Sequence, residues 1–343
     1  MGLQRFSLVL VFSLCIGSVR ALMLGGTEVP KEKVIVYFLM GHSNMAGEDI
    51  VNSDGVTAPR IWNYEWFKSK AWAPAKETPG GDKNGLSGRG EGGPGMPFLK
   101  AMALANPGYH FAVISNAMPS STLRGENEGN NGSGLPAEAN RYWKGATLYA
   151  ELIKSGLEVK GQVTFGGILC MLGSVEATRT PEEVCRAFSD DAAAMVKDFR
   201  LELGVPNLPF IMGEYEAGAS AEFALSQPLP AIVDQQIRLI PSKLPLSATV
   251  NSRSIPMKDN HHYALAGEKE WANRVVAIIT DKGWLPPPGS ASVISSRPAN
   301  RSMAAPGGFY FSASGPEAFS TGTGISRRLA DGRLIPSTAR SGP

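Results

Sequence analysis

An α/β fold, with a parallel sheet of about five strands covered by helices on both faces, is predicted by three features of this chain. Continuous apolar runs recur along it, beginning with Val34-Ile35-Val36-Tyr37-Phe38 and Phe111-Ala112-Val113-Ile114. Segments with helical spacing of apolar residues separate these runs. Glycine (39) and proline (25) are plentiful, which suits long ordered loops over a sheet. Runs that are apolar at every position read as strands buried on both faces, and helical crossovers join such strands in parallel.

The elements follow in order. Val34–Leu39 is the first expected strand, and Pro97–Ala105 reads as a helix after a Gly-Pro turn. Phe111–Ser115 is the second strand. The stretch 143–154 carries Leu148, Leu152 and Ile153 at helical spacing. Val163–Leu172 is the third strand. Thr180-Pro181-Glu182-Glu183 has a capping residue, a Pro at the first helical position and acids in the first turn, so a helix should run from there to about Leu203. Pro209–Gly213 is the fourth strand, Ala231–Leu239 a helix and Leu246–Val250 a short fifth strand. A last helix is expected over His262–Lys282, with Leu265, Val275, Ile278 and Ile279 facing in.

The ends read differently. Residues 1–21 hold an early Arg5, an apolar stretch from Phe6 to Ile16 and Val19-Arg20-Ala21, the layout of a secretory leader. A buried N-terminal strand is the alternative. The leader implies a secreted, periplasmic or cell-surface protein, and no segment is long and apolar enough to span a membrane. Residues 22–284 suit one large domain better than two small ones. Residues 285–343 open with Pro286-Pro287-Pro288-Gly289 and read as a linker and tail, either a sorting or attachment segment or plain disorder. Formal charge is nearly balanced at +2, without a basic stripe, which disfavours nucleic acid as a partner. Cys170 and Cys185 read as two buried or free thiols rather than a pair. No Cys/His cluster has metal-ligand spacing, so neither metal nor organic cofactor is implied.

Two segments carry chemistry. Leu39-Met40-Gly41-His42-Ser43-Asn44-Met45-Ala46-Gly47 ends the first strand and presents a hydroxyl at the carboxyl edge of the sheet, where open α/β folds place ligands. Asp259-Asn260-His261-His262 lies far downstream, ahead of the last helix. Ser first and Asp-x-x-His last is the order of a serine hydrolase whose acid and base share one loop. Ser43 is the expected nucleophile, His262 its base and Asp259 the acid that fixes the imidazole. His42 lies beside the site and is not assigned the proton.

Gly41-His42-Ser43-Asn44-Met45-Ala46-Gly47 resembles the first block of the sialate O-acetylesterase and carbohydrate esterase family six group, which belongs to the SGNH hydrolases. The usual block there is Gly-Gln-Ser-Asn-Met-Ala-Gly. The resemblance continues through Gly93–Phe98, Leu208–Gly213 and Asp259–Tyr263 with Ala266-Gly267, over residues 33–280. It implies a three-layer α/β/α fold and a carbohydrate O-acetylesterase. Two blocks depart from the pattern. Met118-Pro119-Ser120-Ser121 stands where the family has Gly-Gly-Thr, and Leu172-Gly173-Ser174 where it has Gln-Gly-Glu. These positions normally supply oxyanion donors and, in some members, the acid.

The oxyanion and substrate-binding candidates are therefore the Ser43 N–H, a backbone N–H at Ser120 or Ser121, and Gly173. If nothing replaces the lost groups, turnover should be slow. Glu176 is a second possible acid, should it reach His262. Trp62, Tyr64, Trp66 and Trp72 crowd one loop, either to stack on sugar rings or to pack that loop. Arg124–Gly134 reads as a polar loop with a part in substrate choice. The expected reaction is release of acetate from an acetylated sugar or polysaccharide, such as acetylxylan, through an acyl-enzyme. The alternatives are a catalytically impaired carbohydrate-binding member of the fold and a lipase-like short-chain esterase.

Overall fold

In a computed structural model the strand Val34–Gly41 (β3) is the centre of the molecule, because every one of its eight residues is buried. The structure describes residues 21–47, 58–67, 69–76, 93–124, 139–215 and 227–285. Before β3 a short hairpin pairs Ala21–Leu24 (β1) with Thr27–Pro30 (β2). After it come the single turn Ser43–Ala46 (α1), Ile61–Tyr64 (β4), Trp72–Pro74 (β5), Gly95–Ala105 (α2) and His110–Ser115 (β6). The rest alternates: Thr147–Val159 (α3), Thr164–Met171 (β7), Ser174–Arg179 (α4), Glu182–Leu203 (α5), Phe210–Gly213 (β8), Pro228–Lys243 (α6), Ser247–Val250 (β9) and Leu265–Asp281 (α7).

The sheet has seven strands in the order β5-β4-β6-β3-β7-β8-β9. All neighbours run parallel except β5 against β4. Side-chain alternation sorts β3 between two cores. Val34, Val36, Phe38 and Met40 face one layer with Leu152 of α3, Phe199 of α5 and Ile237 of α6. Ile35, Tyr37 and Leu39 face the other with Phe98 of α2 and Trp271 of α7. This is the three-layer α/β/α arrangement of SGNH hydrolases.

The five expected strands are present, and β4 and β5 add to them. The aromatic segment is thus not a loop. Trp62 and Tyr64 are buried in the sheet edge, and the Trp66 Nε1–H donates to Ser115 O at 2.7 Å. The last helix begins at Leu265 rather than His262, because the chain before it is held in a loop described below. No disulfide joins the buried Cys170 and Cys185. The leader reading falls on residues outside the described ones, apart from Ala21, the first residue of β1. The linker and tail, and the loop after Arg124, also lie outside them. The chain divides into Met1–Val293 and Ile294–Pro343, and the second part is not among the described residues. Among the described residues no helix is long and apolar enough to cross a membrane.

Candidate active site

Strand order reverses direction at β3. After β3 the chain lays down β4, β5 and β6 on one side and then crosses to β7 on the other, and open α/β sheets place ligands in the crevice at the carboxyl ends of strands at such a switch point. Gly41 ends β3 there with φ +154 and lies opposite Met171, the last residue of β7. A Cβ on Gly41 would stand 2.5 Å from Met171 O, so only glycine fits. The Tyr142 hydroxyl accepts from Gly41 N–H at 3.0 Å and donates to Asn116 O at 2.6 Å, tying the ends of β3 and β6 together. The chain then turns into α1, whose first residue is Ser43.

The loop 251–264 brings the other groups to the same edge. Ser43 Oγ lies 3.0 Å from His262 Nε2, and His262 Nδ1 lies 2.9 Å from Asp259 Oδ2. Asp259 Oδ1 accepts the backbone N–H groups of His261 and His262, both at 2.7 Å. Burial works to raise the Asp259 pKa. The bonds from the two backbone N–H groups and the imidazole outweigh it and pull the value down to about 2. Asp259 is therefore ionised at neutral pH, which sets the His262 proton on Nδ1 and leaves Nε2 to accept from Ser43. The three residues expected from sequence are together, in hydrogen-bond reach of one another.

Asn44, to which sequence reading gave no role, fastens the loop to the Ser43 segment. Its Nδ2 donates to His261 O at 2.8 Å and its Oδ1 accepts from Tyr263 N–H at 2.8 Å. It lies within the same seven-residue block as Ser43, which was the available signal.

The expected oxyanion groups fare differently. The Ser43 N–H, in the first turn of α1, has no acceptor among the described residues. The Gly173 N–H donates to Glu176 Oε2 at 3.0 Å, so this amide is taken and Gly173 is a wall of the site rather than a donor. Gly173 has φ +120, and a Cβ there would stand 2.9 Å from Val233 Cγ1. The Ser121 N–H closes a turn onto Met118 O at 3.1 Å, with Ser120 at φ +57 in its third position. Ser120 Oγ accepts from Arg179 Nη1 at 3.3 Å. Leu172 packs in the apolar core and does not face the crevice. Glu176 is fully buried, and its second oxygen accepts from Leu123 N–H at 2.5 Å. Burial pushes its pKa up, against those backbone bonds. Both its oxygens thus brace the second and third blocks, and neither is bonded to His262.

His42 and Ser174 meet. The His42 Nδ1 accepts from Asn44 N–H at 3.4 Å as the cap of α1, and its Nε2 lies 2.9 Å from Ser174 Oγ. Among the described residues, no group of three or more His, Cys, Asp or Glu is placed to hold a metal ion.

A Ser-His-Asp arrangement at the switch point of a three-layer α/β/α sheet is the arrangement of a serine hydrolase. The model of the family described as carbohydrate esterase, sialic acid-specific acetylesterase matches residues 33–280, and the chain belongs to that family. The family acts on esters of carbohydrates. Two solved structures share the fold. One is a protein from Arabidopsis thaliana, 16% identical with a TM-score of 0.57, the match covering 72% of this chain and 98% of that one. The other is NanS, 14% identical with a TM-score of 0.58, covering 74% and 98%. A comparison with curated protein sequences found no match.

Proposed function

We propose that this chain is a secreted serine esterase that removes O-acetyl groups from carbohydrate through an acyl-enzyme. The observation that carries this reading is the Ser43–His262–Asp259 chain of hydrogen bonds, at 3.0 and 2.9 Å, in a member of a carbohydrate esterase family. A serine hydroxyl is a weak nucleophile until a base takes its proton. Here His262 Nε2 takes the proton as Ser43 Oγ attacks the acetyl carbonyl. Asp259 stabilises the imidazolium. Collapse of the tetrahedral intermediate expels the sugar oxygen, which takes the proton from His262. Water then attacks the acetyl-Ser43 ester by the same route, releasing acetate and restoring Ser43.

The leader-like residues 1–21 support export, and a polysaccharide such as acetylxylan is a substrate met outside the cell. The test uses 4-nitrophenyl esters of increasing acyl length and acetylated xylan, with wild type and Ser43→Ala. Acetate should be the preferred acyl group, and Ser43→Ala should lose turnover while keeping its fold. Retained turnover in the pure, folded variant sinks the assignment. A preference for long acyl chains would favour a lipase-like esterase instead.

A further inference from the structure

The site contains two Ser–His pairs, and their partners give them opposite polarity. In the first, Asp259 faces His262 Nδ1 and keeps the proton there, so Nε2 accepts and Ser43 donates. In the second, His42 Nδ1 accepts the Asn44 N–H. A neutral ring so capped carries its proton on Nε2, the atom 2.9 Å from Ser174 Oγ. Ser174 Oγ is then the acceptor of that bond. Its own hydrogen is left over, and no other side-chain bond involves Ser174 among the described residues.

Position makes this hydrogen useful. Ser174 is half-buried and stands three residues beyond Met171, which is opposite Gly41 across the β3–β7 ladder. The His42 N–H binds Met171 O at 3.0 Å, so the two segments run side by side at the sheet edge. His42 immediately precedes Ser43, so its bond to Ser174 Oγ brings Ser174 to the segment that carries Ser43.

Several N–H groups near the site are committed elsewhere among the described residues. The N–H groups of Gly173, Ser121 and Met118 are given to Glu176, Met118 O and Gly41 O. Leu172 has no polar side-chain atom and lies in the core. Among the described residues the Ser43 N–H is placed to donate, and a single donor stabilises an oxyanion poorly.

We propose that the Ser174 hydroxyl donates the second hydrogen bond to the oxyanion, with His42 as the positioning residue that turns the hydroxyl hydrogen outward. The inference rests on the esterase reading above. As Ser43 Oγ bonds to the carbonyl carbon, its proton goes to His262 and the carbonyl π pair moves onto oxygen. That oxygen accepts from Ser43 N–H and Ser174 Oγ–H, and Ser174 keeps its proton throughout. The bond forms fully only in the transition state, so its loss should appear in kcat.

The experiment compares wild type, Ser174→Ala, Ser174→Thr, His42→Leu and the double variant His42→Leu/Ser174→Ala, all in the full chain. Turnover of 4-nitrophenyl acetate is measured together with inhibition by methylboronic acid, which forms a tetrahedral adduct on the serine. Ser174→Ala should lower kcat about 10²-fold or more with KM little changed, the loss seen when one oxyanion donor is removed. The inhibition constant for methylboronic acid should rise in the same direction. Ser174→Thr, which keeps a hydroxyl, should retain most of the activity. His42→Leu should cost more alone than on top of Ser174→Ala, and the cost that remains there is the loss of its cap on α1. Should His42→Leu fail to fold, the Ser174 variants decide by themselves. Unchanged kcat in Ser174→Ala overturns the proposal. So does a loss of kcat that tracks thermal stability while boronate affinity stays the same. A wild type that turns over no acetyl ester and is not labelled at Ser43 by a fluorophosphonate overturns the esterase reading and this inference with it. An active, labelled wild type leaves Ser174 as the point at issue.

Discussion

Asn44 Nδ2 donates to the carbonyl of His261 at 2.8 Å, across 217 residues of chain. With the return bond from Tyr263 N–H, the amide copies one rung of a β-ladder between the Ser43 turn and the loop that carries Asp259 and His262. The Ser43–His262 distance is therefore set by a side chain that touches neither reacting atom.

Asn44→Ala should expose this. It removes the partner of the part-buried His261 carbonyl and of the buried Tyr263 N–H, the latter worth about 1–3 kcal/mol. Asn44→Asp should be as harmful, because an acceptor would then face His261 O. A drift of about 1 Å between Ser43 and His262 is worth roughly 10²-fold in rate. Steady-state kinetics and thermal melts on both variants check this, and wild-type kcat in a folded Asn44→Ala protein would show that the loop is positioned by other contacts.

Asp259→Asn should lower kcat by roughly 10⁴-fold by releasing the tautomer of His262. Glu176→Gln should not reproduce this, since both Glu176 oxygens are bonded to backbone away from His262. A severe Glu176→Gln effect on kcat beside a mild Asp259→Asn would reverse the assignment.

The same carboxylate predicts a pH effect on stability. Its pKa is about 2 in the fold, below the ordinary 3.8. The fold therefore favours the charged form. Asp259 contributes stability above about pH 4, and that contribution disappears as pH falls through 2. The melting temperature of Asp259→Asn should depend less steeply on pH between 4 and 2 than that of wild type. Parallel curves would remove the claim.

Leu172→Gln, which restores the residue usual at that position in the family, should not raise kcat. Leu172 is 1% exposed and packs in the core layer with Phe188, Val233 and Ile237, so the amide would be buried without a partner at about 1–3 kcal/mol. A lower melting temperature with unchanged or lower kcat is expected. A gain in kcat would place that side chain in the crevice after all.

The strands, the nucleophile turn and the Asp-x-x-His loop were legible because each is a local pattern: a continuous apolar run, a Gly-flanked Ser, a three-residue spacing. β4 was not, because Ile61-Trp62-Asn63-Tyr64 is short and rich in aromatics, and such a run reads equally as a self-packed loop. α4 was missed because six residues give too little periodicity. The use of the Gly173 amide could not be read at all, since a backbone N–H carries no residue identity and its partner depends on where Glu176 folds. His42 and Ser174 are 132 positions apart, and only the parallel pairing of β3 with β7 makes them neighbours.

The separation of Ser43 from His262 has a consequence in time. The two lie 219 positions apart. At roughly 5–20 residues per second of synthesis, a nascent chain carries its serine for about 10–45 s before its imidazole exists. During that interval the hydroxyl has no base from its own fold and is no more reactive than any other serine. On the esterase reading proposed above, chemistry waits for the loop that carries Asp259 and His262, so a chain cut short anywhere before residue 259 should be inert.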